Sequence, residues 1–119
     1  MRKSVLFVLA TLGAATPALA APSANQDRTG YTAIAAGDLS TAEQRIVAER
    51  KIFPQRPELM LNLASVYRRT GRDSEARALY AAVLKRPAVA MDLPSGAVVS
   101  SHDLASRALA RQTQQIATR

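Results

Sequence analysis

The sequence predicts an all-α fold built as a short stack of helical hairpins, and three observations carry that expectation. Sliding the chain against itself by about 34 residues pairs Gly37 with Gly71, Ala42 with Ala76 and Ile46 with Tyr80, and a period in this range marks an architecture of repeated supersecondary units. Between 59 and 84 the apolar residues recur at three- and four-residue steps, as they do on helices with one buried face. Pro54, Pro57, Gly71 and Pro87 punctuate these runs, and helix ends are where such residues belong.

The chain has 119 residues, enough for one domain. Met1-Arg2-Lys3 is basic, Ser4 to Ala15 is an apolar run of about a dozen residues, and Ala18-Leu19-Ala20 supplies small residues, which together are the three parts of a secretory signal peptide. A bilayer span needs roughly 20 apolar residues, and here Thr16-Pro17 cuts the run short. Residues 1–20 are therefore expected to be removed between Ala20 and Ala21, followed by a flexible segment over 21–26. The mature chain would have no membrane span and would be exported, to the periplasm or beyond it. There is no cysteine, which excludes disulfides, a lipid-modified N-terminal Cys and thiolate metal sites.

The first unit is expected over about 27–56. Its first helix, roughly Asp27 to Ala36, contains Gly30 and few large apolar residues, so fraying is expected there. Gly37 makes the turn. Ser40 and Glu43 stand three apart in the spacing of a reciprocal capping box, and the helix they open ends before Pro54, because a residue preceding proline avoids the α region.

The second unit is expected over about 57–87. Pro57 suits a first helical turn, whose amide has no partner in any case. Leu59, Met60, Leu63, Val66 and Tyr67 form one face. Gly71 ends that helix at positive φ. Asp73 is placed to cap the next one, which continues with Ala76, Leu79, Tyr80, Val83 and Leu84 and closes at Pro87. Antiparallel helices approach closely only where side chains are small. Ala64 and Ala76 are expected to face each other, with Tyr67 and Tyr80 beside them.

Beyond 87 the period fails. Pro94-Ser95-Gly96 between short apolar pieces suggests a turn or small hairpin. Ser100 or Ser101 then caps a final helix striped by Leu104, Ala105, Ala108, Leu109 and Ile116, whose end Gln112, Thr113, Gln114, Gln115 and Thr118 make polar. A short stack exposes the apolar end of its last hairpin, and this helix is expected to cover it.

Leu63-Ala64, Tyr67, Gly71, Ala76, Tyr80 and Pro87, echoed by Gly37, Ala42, Ile46 and Pro54, resemble the tetratricopeptide repeat. Pro87 arrives one residue early, and Thr29-Gly30 and Ala33 stand where the family has Leu-small and an aromatic. The resemblance implies a short right-handed solenoid whose first helices line a concave face that binds a peptide or partner protein, with no catalysis and no cofactor. In some relatives an Asn and a cation hold a peptide's carboxylate. Asn62, Ser65 and Arg69 share a face here, with Tyr31 at a matching place in the first unit, and these become the candidate peptide-binding residues. The same residues also fit a plain solvated helix face.

Other chemistry finds little support. The formal charge is +7, but the cations are interspersed with acids and the mature chain offers only Tyr31, Phe53, Tyr67 and Tyr80 for stacking, which argues against nucleic acid. Ser101-His102-Asp103 spells a hydrolase triad, yet adjacent residues at a helix start point in different directions, so a capping role is expected. A single His without Cys leaves no plausible metal set, and the glycines are too scattered for a phosphate loop. A rival to the protein-binding reading is attraction of anionic lipid or polymer to Arg68, Arg69, Arg72, Arg77, Lys85 and Arg86. A homodimer completed by Leu59, Met60 or the C-terminal stripe is a further expectation.

Overall fold

The computed structural model describes residues 27–117; the signal-like start with its Ala20-Ala21 junction, the 21–26 segment and residues 118–119 lie outside the described residues. Five helices and one two-stranded sheet follow in the order α1 (Tyr31–Ala35), α2 (Leu39–Ile52), α3 (Pro57–Arg69), α4 (Asp73–Leu84), β1 (Ala90–Asp92), β2 (Val98–Ser100) and α5 (Ser101–Ala117). The fold is all-α with a minor β-hairpin.

The turns inside the two helical hairpins, α1 to α2 and α3 to α4, are built alike. Gly37 and Gly71 each take φ 78°, and each turn closes with two backbone bonds: Gly37 to Ile34 and Asp38 to Ala33 in the first, Gly71 to Arg68 and Arg72 to Tyr67 in the second. This is the paired arrangement that satisfies the last carbonyls of a helix when a left-handed residue follows it. Pro57 occupies the first turn of α3.

Three helix starts differ from the sequence expectation. Helix α1 begins at Tyr31 rather than at Asp27, because Gly30 in the left-handed region (φ 70°) interrupts it. The Asp27 carboxylate, buried to 2% exposure, instead accepts hydrogen bonds from the amides of Thr32 (2.8 Å) and Ala33 (3.3 Å) and pairs with Arg45. Helix α2 is capped by Asp38, whose side chain accepts from the Thr41 amide at 3.2 Å. Ser40 and Glu43 therefore form no capping box, and Glu43 is engaged elsewhere. At α4 the capping position is Arg72 with no side-chain cap, so Asp73 contributes only a negative charge in the first turn.

Helix α3 is shared between two cores. Leu59, Leu63 and Val66 pack with Ala33, Ala42 and Ile46, while Met60, Leu61 and Ala64 pack with Ala76, Tyr80, Val83 and Ala105. Tyr67 and Leu79 touch both clusters. Ala64 and Ala76 are fully buried, as a close crossing of α3 and α4 demands. Gly30 fills the corresponding small position in the first unit: a Cβ there would lie 2.6 Å from Ile46 Cγ1.

Helix α5 packs on α4 and also reaches α3, covering the open end of the second hairpin. Its inner face is Leu104, Ala105, Ala108 and Leu109. Ile116 is 51% exposed and falls outside that stripe, whereas Gln112, expected in the polar end of the helix, is buried with Nε2 donating to the Asp73 carbonyl at 3.4 Å. Leu59 and Met60 are interior to a single chain, so neither is free to complete a dimer. No helix among the described residues is long and apolar enough to cross a membrane.

Candidate functional site

A groove of about 430 Å³ runs over the first helices of the successive units. Tyr31 and Thr29 at α1, Glu58, Leu61 and Asn62 on α3, and Leu104 on α5 form its floor; Met91, Asp92, Leu93 and Pro94 form one wall. The floor exists because α1, α3 and α5 lie side by side, and the wall because a β-hairpin interrupts the chain between α4 and α5.

The hairpin is closed tightly at both ends. At its tip Leu93 donates to Ala97 and Gly96 donates to Leu93, each at 2.9 Å, with Gly96 at φ 84°; a type I turn followed by a left-handed glycine is a favoured short hairpin connection. At its base the Ser101 amide donates to the Val89 carbonyl (2.8 Å) and the Ser101 hydroxyl accepts from the Val89 amide (3.0 Å). Ser101 is fully buried, so the wall is fastened to the first turn of α5. Ser100 accepts from the His102 amide (3.2 Å), and the His102 ring hydrogen-bonds the Arg86 carbonyl. Ser101 and His102 are thus engaged in joining the loop to the helix.

Matching to protein families finds the tetratricopeptide repeat over residues 33–89. Residues 33–89 carry tetratricopeptide repeats. No curated protein and no solved structure matches the chain. Tetratricopeptide repeats generally mediate protein–protein interaction and are typically non-catalytic.

Within these tetratricopeptide repeats the four candidate peptide-binding residues fall in two places. Tyr31, 49% exposed, and Asn62 line the groove. Ser65 and Arg69 do not. Asn62 Nδ2 donates to the Thr29 carbonyl at 2.9 Å and Arg69 Nη1 to the Ile34 carbonyl at 3.5 Å, so the two side chains strap the short α1 onto α3 at its two ends. Glu58 and Asp92 are the charged residues of the lining, and no cation is among them.

Sequence reasoning missed the contact that joins the two tetratricopeptide repeats. Arg72 reaches Glu43 with both terminal guanidinium nitrogens, Nη1 and Nη2, at 2.7 and 2.6 Å, and lies over the Tyr67 ring at 4.3 Å. The guanidinium bonds hold the Glu43 carboxyl below its ordinary pKa, against the opposing effect of burial, and Glu43 raises that of Arg72. Burial works to raise the Asp27 carboxyl, but the Thr32 amide, Arg45 and the Ala33 amide together bring it below the ordinary value. Of the six cations in the anionic-polymer reading, Arg72 is held by Glu43, Arg86 by Gln55 and Arg69 by Ile34. Among the described residues no group of three His, Asp or Glu side chains could hold a metal ion.

Proposed function

We propose that this chain is a non-catalytic interaction module of the cell envelope, exported by its N-terminal segment, and that a segment of a partner protein lies in the groove formed by α1, α3, α5 and the hairpin. One observation carries the reading: the first helices of a tetratricopeptide stack, together with the hairpin and α5, line a walled groove that includes Leu61, Met91, Leu93 and Leu104. An apolar trough with a few fixed polar groups is the usual form of a docking site.

Placing a photo-crosslinking side chain at Tyr31, inside the groove, should capture a discrete partner from envelope extract. The same group at Ala48, exposed on α2, should not. Capture from position 48 with none from position 31 would move the binding surface elsewhere. N-terminal sequencing of chain recovered from the envelope should begin at Ala21; a chain that begins at Met1 would remove the export reading.

A further inference from the structure

We infer that the groove takes an extended segment, added as a third strand to the outer edge of β1, with a Lys or Arg set between its apolar side chains. The inference rests on the groove being the partner site and names the class of segment that fits it.

The hydrogen-bond register supplies the first argument. Strand β1 pairs with β2 as Ala90 with Ser100, Met91 with Val99 and Asp92 with Val98. Antiparallel pairs alternate between those that exchange hydrogen bonds and those that do not. The bonds from Leu93 to Ala97 and from Ser101 to Val89 place the exchanging pairs at residues 89, 91 and 93. The amide and carbonyl of Ala90 and of Asp92 therefore point away from β2, to an edge with no strand beside it among the described residues. Both residues are exposed. The lining includes Met91, Asp92 and Leu93 but no residue of β2, so the groove lies along β1. An open edge next to apolar pockets is how extended peptides are taken up by strand addition.

Charge supplies the second argument. The chain as a whole is strongly basic, yet its groove presents Glu58 and Asp92 and no cation. Neither carboxylate forms an ion pair among the described residues. A cationic side chain on the bound segment would complement both, while Leu61, Met91 and Leu104 receive the apolar side chains on either side of it. A second copy of this chain brings no cation to the groove, and pairing β1 with β1 in the register centred on residue 92 sets two Asp92 carboxylates opposite each other.

Backbone amide NMR titration tests this on the 21–119 chain with three capped hexapeptides: alternating Val and Lys, alternating Val and Glu, and the Val-Lys peptide with alternate amides N-methylated. The Val-Lys peptide should shift Ala90, Asp92 and Leu104 and slow hydrogen exchange at the first two. The Val-Glu peptide should bind at least about 5-fold more weakly, as expected for exposed carboxylates, and the N-methylated peptide should lose the protection. Glu58→Gln should weaken the Val-Lys peptide by about 2- to 5-fold.

Equal or tighter binding of Val-Glu at the same amides would overturn the charge assignment. Equal binding of the N-methylated peptide would overturn strand addition. In both cases the groove itself would still be occupied, and the wider reading would stand on the Tyr31 crosslink. Shifts outside the groove, no shifts with any peptide, or self-association through β1 would overturn the inference outright.

Discussion

Glu43 and Arg72, 29 residues apart in sequence, meet through a two-point fork in which each guanidinium nitrogen faces its own carboxylate oxygen at 2.7 and 2.6 Å. The fork ties the first unit's second helix to the turn that opens the second unit's. Its geometry suits only a planar partner. Arg72→Lys should therefore lower the urea midpoint nearly as far as Arg72→Gln, and Glu43→Gln should add little to either. A double-mutant cycle in urea checks this, and full additivity would show the fork to be energetically idle.

Glycine substitutions should separate strain from crowding. Gly71 takes positive φ with nothing near its absent Cβ, so Gly71→Ala should cost about 1 kcal/mol from backbone strain alone. Gly30 has the same kind of φ, and a Cβ there would meet Ile46 Cγ1 at 2.6 Å and Cδ1 at 2.7 Å. Gly30→Ala should cost about 3 kcal/mol. Adding Ile46→Val, which removes Cδ1, should make the pair of changes cheaper than the sum of the two. Thermal unfolding of the four variants decides the matter.

Acid should unfold the protein through Asp27 and Glu43. Both carboxyls titrate below their ordinary values in the fold, so the folded state binds their protons less tightly than the unfolded chain does. The stability they confer is complete above about pH 4.5, the ordinary Glu value, and is lost as pH falls through the lower folded values. Asp27→Asn should cost about 2 kcal/mol at pH 7, because one oxygen cannot serve Thr32, Ala33 and Arg45 together. That difference should shrink on acidification, and a constant gap between pH 7 and pH 3 in urea titrations would contradict it.

Ser101→Ala removes the hydroxyl that accepts from the Val89 amide and leaves that part-buried donor without its partner. A loss of about 1–2 kcal/mol is expected. Hydrogen exchange should quicken at Met91 and Val99, the exchanging pair within the hairpin, more than at Val66 in the core. Uniform acceleration would show that the hairpin is not separately anchored.

Helix ends and helix faces were legible in the sequence because they obey local chemistry. Gly37, Gly71, Pro54 and Pro57 stop or start the chain by their own backbone limits, and Ala64, Ala76 and Tyr80 sit at spacings that only a close helical crossing explains. What the sequence hid depends on where distant segments come to rest. Glu43 lies three residues after Ser40 and so suggested a cap, but Arg72, supplied by the next unit, holds it more strongly than an exposed amide would. Gln112 looked like surface and is covered by the start of α4. The groove was legible as a helix face through Tyr31 and Asn62, while its acidic wall residue Asp92 belongs to a hairpin that no repeat pattern announces.

Because the hairpin is secured where it meets α5 and its tip from Pro94 to Val98 is solvent-exposed, residues there other than Gly96, which the turn holds at φ 84°, can be exchanged without disturbing either hydrophobic cluster. If the groove is the docking site proposed above, selectivity can drift or be engineered at that tip while the helical stack stays as it is, and these few positions become a natural place to re-aim the module toward a different recipient.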